Sequence, residues 1–172
     1  MHKIRFYILL LFCTVSVSSC NTQKKLVEKH QTAFRLSEKL GFQISPKDNL
    51  KLYQEASSWL GIPYRYGGNS RKGVDCSGLV CKIYLNVYQI PLERTVTGMY
   101  KKNCRKISRK KLKPGDLVFF NTTAKRKSVS HVGIYLKENT FIHATTASGV
   151  RLSQMDEIYY KKRWIKGGRI KK

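Results

Sequence analysis

The chain is 172 residues long, room for one compact domain and a short appendage. Apolar residues make up 41% and aromatics 11%, enough to bury a core and too much for a chain disordered throughout. Thirty-four Lys and Arg against ten Asp and Glu give a net charge of +24. Such an excess attracts polyanions (nucleic acid, acidic lipid head groups, carboxylate-bearing polymers) without choosing among them. The five cysteines, at 13, 20, 76, 81 and 104, form no CxxC pair and no even spacing, which argues against a disulfide scaffold and a zinc finger.

His2, Lys3 and Arg5 precede an apolar run from Phe6 to Phe12. The run is too short to span a bilayer, for which about 20 apolar residues are needed. A charged start, an apolar middle and a small-residue end are the layout of an export signal. The end, Val17-Ser18-Ser19-Cys20, resembles a bacterial lipoprotein processing site. That implies removal of residues 1–19 and a lipidated Cys20; the alternative is an ordinary signal peptide with an incidental cysteine. Removal of two cations and no acid leaves 32 − 10 = +22 on the mature chain. Export also separates the protein from most nucleic acid, so the charge is turned toward anionic lipid and the carboxylates of the cell wall.

From Asn21 a polar tether leads to Leu26, Val27, His30, Ala33, Phe34 and Leu40, which recur at helical spacing before Gly41. An amphipathic helix docked on the domain is expected, with a membrane-lying or partner-binding helix as the alternative. Ser45 as cap, Pro46 and Asp48 start a second helix. Leu52, Tyr53, Ala56, Trp59 and Leu60 form its buried stripe, and Gly61 and Pro63 end it. A Gly-rich loop covers 67–73. Asp75-Cys76-Ser77-Gly78 then opens a run with apolar residues at 79, 80, 83, 84, 87 and 88, one face of a buried helix. A short helical piece is expected over 95–101 and a basic loop over 101–113. Strands follow at 117–120, 132–136, 140–144 and 149–152, separated by hairpin-length turns. Helices first and strands after them indicate an α+β fold with an antiparallel sheet, without repeats or a second domain.

A thiol attacks only as its thiolate, and a free cysteine is mostly protonated at neutral pH. A helix N-terminus and a neighbouring imidazolium each lower that pKa. Cys76 has the first; His131 and His143, on adjacent expected strands, are the candidates for the second. Whether they share a face depends on a turn register that the sequence leaves open. A cysteine at the start of a buried helix is usually a small core residue, and Cys81 and Cys104 are read that way, with a disulfide between them as the alternative. Cys76 stands apart because of its company.

Five segments in order carry a family resemblance: Gly61-Ile-Pro-Tyr-Arg-Tyr-Gly-Gly68, Val74-Asp-Cys-Ser-Gly-Leu79, Lys113-Pro-Gly-Asp-Leu-Val118, His131-Val-Gly-Ile-Tyr135 and Phe141-Ile-His-Ala144. They resemble the NlpC-type bacterial cell-wall cysteine peptidases over about residues 46–165. The lipoprotein-like start and the single domain look most like the Spr-type murein endopeptidase lipoproteins. The resemblance implies a papain-like fold, with N-terminal helices packed on a small antiparallel sheet. The organisation it implies is a signal over 1–19, a lipidated Cys20, tether and short helix over 20–45, and a peptidase domain over 46–172.

By position the resemblance makes Cys76 the nucleophile, His131 the general base and His143 the orienting residue. Tyr64 becomes an oxyanion donor, and Asp75 and Ser77 face the substrate's peptide stem; Asp75 is equally readable as a helix cap. The implied reaction is hydrolysis of a peptidoglycan stem-peptide amide through an acyl-enzyme, with no cofactor and no metal. The bond is either D-Glu–diamino acid or the D,D crosslink. A monomer in the cell envelope is expected, held to the membrane by Cys20, facing the wall and binding no nucleic acid. The competing reading is a catalytically idle peptidoglycan-binding lipoprotein. Basic clusters at 101–113, 125–127 and 161–172 exceed what catalysis needs and suit retention on an acidic wall or anionic lipid.

Overall fold

The computed structural model describes residues 22–123 and 128–171. Residues 13 and 20, the signal-like segment and the basic cluster 125–127 lie outside the described residues. The chain divides into two compact units between Leu50 and Lys51.

In the first unit, helix α1 spans 22–40. Ala33, Leu36 and Leu40 are buried, whereas Leu26, Val27 and Phe34 are at least half exposed. The buried stripe is therefore rotated from the expected one, which had counted those three as its anchors. The expected helix start at Ser45 is also corrected. Ser45 N–H donates to Asp48 Oδ2 at 2.8 Å and Asp48 N–H to Ser45 O at 2.9 Å, so the segment closes on itself as a separate turn. Helix α2 begins later, at the division, and runs Leu50–Trp59 into the second unit, burying Leu52, Tyr53, Ala56, Ser57 and Trp59. Among the described residues no helix is long and apolar enough to cross a membrane.

The second unit is an α+β domain. A small hairpin, β1 (Asn69–Ser70) and β2 (Gly73–Val74), lies within the expected Gly-rich loop and leads into helix α3, Cys76–Tyr88. Gln89 ends α3 in the left-handed conformation, its N–H returning to Leu85 O. Helix α4 is one turn, Val96–Gly98, capped by Thr95 and continued by a π turn, Met99–Asn103. The rest is strand: β3 Cys104–Ile107, β4 Leu117–Phe120, β5 His131–Lys137, β6 Thr140–Thr145, β7 Gly149–Gln154 and β8 Trp164–Ile170, with α5, Ile158–Arg163, before β8. The six strands form one antiparallel sheet in the order β3-β8-β4-β5-β6-β7. The expected basic loop over 101–113 is thus a π turn, an edge strand and a 3-10 turn, Arg109–Lys111.

β4 is central and buried along its whole length. Its alternating side chains serve both faces of the sheet. Phe119 meets Tyr100 edge-on, while Val118 and Phe120 join Phe141, Met155 and Tyr160 in an aromatic cluster. The Lys113-Pro-Gly-Asp turn is tied to β5 and β8. Tyr135 N–H donates to Asp116 O, and the Asp116 carboxylate takes Arg169 Nε at 2.8 Å and Nη2 at 2.6 Å. α3 packs on β5 and β6, which brings its N-terminus to the strands that carry both histidines.

Candidate active site

Asp75 caps α3 with an extended backbone, and its Oδ1 accepts Gly78 N–H at 2.6 Å. Oδ2 accepts Gly67 N–H at 3.0 Å. Arg94, from the loop before α4, binds the same carboxylate through both ends of its guanidinium: Nη1 to Oδ1 at 2.9 Å and Nη2 to Oδ2 at 2.8 Å. Arg94 also reaches Ser77 Oγ at 2.7 Å and Gly68 O at 3.0 Å. Burial on its own raises Asp75, but the Arg94 and Gly78 donors outweigh it and hold the carboxyl below its ordinary range. Cys76, the first residue of α3, is 8% exposed, so its position follows from this fixed cap.

β5 and β6 are joined through Glu138 and Asn139, both with positive φ (50° and 61°), a two-residue turn that sets the register. Ile134 faces Ile142, and a register shift lies between Tyr135 and Lys137. The register answers the question the sequence left open: His131 Nε2 meets His143 Nδ1 at 2.8 Å, with the rings nearly perpendicular. Gly133 makes room for that diagonal approach. A Cβ there would sit 2.7 Å from Ile142 O and 3.2 Å from His143 Cβ. His143 is fully buried between Phe141 and Tyr160, and its Nε2 lies 3.4 Å from the Tyr160 hydroxyl.

Cys76, Tyr64 and Ser130 line two adjoining cavities. One, of about 180 Å³, is also lined by His131, Thr122, Thr145, Tyr159 and Tyr160. The other, of about 460 Å³, is lined by Tyr66, Gly67, Asp75, Ser77, Arg94 and Thr95 among others. Cys76 is thus the junction of a histidine-bearing recess and a larger, charged one.

Burial pushes the Cys76 thiol up and Asp75 adds to the rise, against the N–H groups of Val132, Ser77 and Cys76 itself. Burial also pushes His131 down to about 4 and His143 well below its ordinary value. Burial thus opposes the charged forms that a helix N-terminus and a neighbouring imidazolium would favour. Desolvation favours the neutral thiol and the neutral imidazole, while the N–H groups at the start of α3 favour the thiolate. Burial likewise raises Tyr64, with Cys76 and Asp75 adding to it, so its phenol keeps its proton.

The structure brings together Tyr64, Asp75, Cys76, Ser77, His131 and His143. Cys20 lies outside the described residues. Arg94 was not anticipated: it stands 18 positions from Cys76 in a loop, where no spacing rule marks it. Tyr160 was missed as well, because only the strand geometry shows that it closes over His143. Cys76, Cys81 and Cys104 are all free thiols, so the alternative disulfide is absent. Among the described residues no three His, Cys, Asp or Glu side chains converge to hold a metal.

Residues 61–169 match the model of the NlpC/P60 family. The chain belongs to the NlpC/P60 family, a family of cysteine peptidases. It is 42% identical to the probable endopeptidase NlpC of Escherichia coli over 119 residues, 69% of this chain and 76% of that protein. It is 38% identical to the E. coli murein DD-endopeptidase MepS/murein LD-carboxypeptidase over 120 residues, 70% of this chain and 62% of that protein. A solved lipoprotein-like NlpC/P60 protein from Staphylococcus aureus superimposes with a TM-score of 0.62 at 32% identity, over 71% of this chain and 41% of that one. The papain-like α+β fold implied by the motifs is thereby established.

Proposed function

We propose that this chain is a lipid-anchored peptidoglycan hydrolase in which Cys76 attacks a stem-peptide amide, His131 moves the proton and His143 orients His131. The observation that carries it is the 2.8 Å contact between His131 Nε2 and His143 Nδ1 beside a cavity that Cys76 also lines. With Nε2 engaged, Nδ1 is the nitrogen left for the thiol. For Nδ1 to accept, Nε2 must carry hydrogen and donate to His143 Nδ1. His143 then keeps its own hydrogen on Nε2, toward Tyr160.

As Sγ bonds to the carbonyl carbon, its proton passes to His131 Nδ1. Tyr64 and the Cys76 N–H donate to the oxyanion. The imidazolium returns the proton to the departing amine as the C–N bond breaks, leaving a thioester. Water then gives a proton to His131 and its oxygen to the acyl carbon, which restores the thiol. Asp75 and Ser77, fixed by Arg94, form the wall on which the stem peptide rests. Lipidation of Cys20 would hold the enzyme at the membrane, facing the wall.

Full chain and its Cys76→Ala variant on intact sacculi and defined muropeptides, with products read by mass spectrometry, test the proposal. Crosslinked dimers converted to intact monomers would make it a D,D-endopeptidase. Stems cut after D-glutamate would make it a D,L-endopeptidase. Retention of muropeptide with no product from either protein would replace the hydrolase reading with that of a binding lipoprotein.

A further inference from the structure

The sequence contains two basic stretches about 60 residues apart. No acid occurs between Glu93 and Asp116, and none after Glu157. The fold joins them. β3 pairs with β8 from Cys104↔Ile170 to Ile107↔Gly167, with Arg105 directly opposite Arg169. Like charges face to face cost stability, and here Asp116 neutralises only Arg169. Asp156 is taken by Arg109 at 2.5 Å and Glu93 by Lys102 at 3.1 Å, and Glu157, one turn before Lys161, accepts the Gln154 N–H at 2.7 Å. Arg105, Lys110, Lys111, Lys161, Lys162 and Lys166 are exposed and have no ion pair among the described residues.

The α5 end of this basic edge adjoins the cleft. Tyr159 and Tyr160 of α5 line the recess that holds Cys76 and His131. Lys161 and Lys162 follow them in the same helix, which runs directly into β8. A polymer seated in the recess and leaving past α5 would meet Arg105 and Arg169, which alternate to the Val118 face of the sheet on which Tyr160 packs, whereas Lys166 pairs with Phe119 on the other face.

We propose that the end of α5 and the β3–β8 edge form an exosite that holds the carboxylate-bearing wall polymer while one of its stem peptides occupies the cleft. It rests on the hydrolase reading above, and deepens it by naming how the domain stays on an insoluble anionic substrate. The attraction is electrostatic, so it weakens as salt shortens its range to about 8 Å at physiological ionic strength and about 3 Å at 1 M.

The test replaces Arg105, Lys110, Lys161 and Lys162 by Glu in the full chain. All four are exposed, and circular dichroism checks the fold. A second set with Gln at the same positions keeps the test open if the reversal set misfolds. In a Cys76→Ala background, retention on pelleted sacculi at low salt should fall about tenfold for the Glu set and less for the Gln set, and 0.5 M salt should erase the difference. With Cys76 intact, the rate on sacculi should fall in step, while the rate on a small soluble muropeptide stays within about twofold. Unchanged retention, an equal loss on the soluble muropeptide, or capture by anionic lipid vesicles in place of sacculi would overturn the exosite. Failure of the wild-type chain to cut the soluble muropeptide would sink the hydrolase reading alone, because the retention measurement needs no catalysis.

Discussion

On one side of Cys76 the Asp75 carboxylate holds both ends of the Arg94 guanidinium and accepts the Gly78 N–H of α3 and the Gly67 N–H. On the other side His131 and His143 touch at 2.8 Å, yet burial drives both toward the uncharged ring. The charged wall is locked, since each charge there has a partner that offsets its desolvation. On the histidine wall, burial favours the rings without their extra proton. In the proposed mechanism, burial therefore favours an uncharged Cys76 and His131 until a substrate carbonyl is there to receive the sulfur.

The largest effect should come from removing the proposed proton carrier. His131→Ala should lower kcat/KM by at least about 10³-fold in a muropeptide assay while the folding transition stays cooperative. A residual rate within tenfold of wild type would show that another group takes the thiol proton.

The two walls should also fail at different pH. A histidine whose folded pKa lies below its unfolded value binds its proton first in the unfolded chain. Its contribution is complete above the unfolded value of 6.5 and is lost as pH falls toward about 4. The loss is on the order of 3 kcal/mol. Asp75, held below its ordinary 3.8, contributes fully through that window and loses its share only at still lower pH. Denaturant titrations of wild type and His131→Gln between pH 7 and pH 4 should show the steeper decline in the wild type. Parallel declines would mean that His131 is protonated in the folded state.

Gly133→Ala should sharpen the same contrast. Its Cβ would press on Ile142 O at 2.7 Å and on His143, so the histidine wall shifts while the Asp75 wall does not. An expected loss of about 10²-fold in kcat, with thiol exposure and the α3 cap intact, is measurable by kinetics and alkylation. Arg94→Ala acts on the opposite wall. It leaves the Asp75 carboxylate buried without its cation and should cost about 2 kcal/mol of stability in chemical denaturation, more than Arg94→Lys.

Much of this site was readable before the fold was known. Asp75-Cys76-Ser77-Gly78 ahead of a periodic apolar run fixes a capped, buried helix start, and β4 to β7 alternate or run apolar between clear turns. The pair β3 and β8 was not readable. Cys104–Ile107 exposes Arg105 and Lys106 as an edge strand does, and β8 contains Gly167-Gly168, residues that weaken a strand pattern. The structure gives the reason for the glycine: a Cβ at Gly168 would fall within 2.9 Å of Phe119 and Cys104 side-chain atoms. Arg94 was hidden for another reason, since a loop residue that answers a distant carboxylate leaves no periodic trace. The sequence shows the helix end that favours a thiolate at Cys76 and not the depth of burial that opposes it.

The most direct test of the central claim is the rate of Cys76 alkylation by iodoacetamide against pH in the substrate-free protein, with Cys81→Ala and Cys104→Ala removing the other described thiols. A neutral thiol–imidazole pair predicts a single rise, with its midpoint above that of an ordinary thiol and little reaction at pH 6. A plateau of reactivity from about pH 5 upward would reveal a standing thiolate–imidazolium pair and contradict the account.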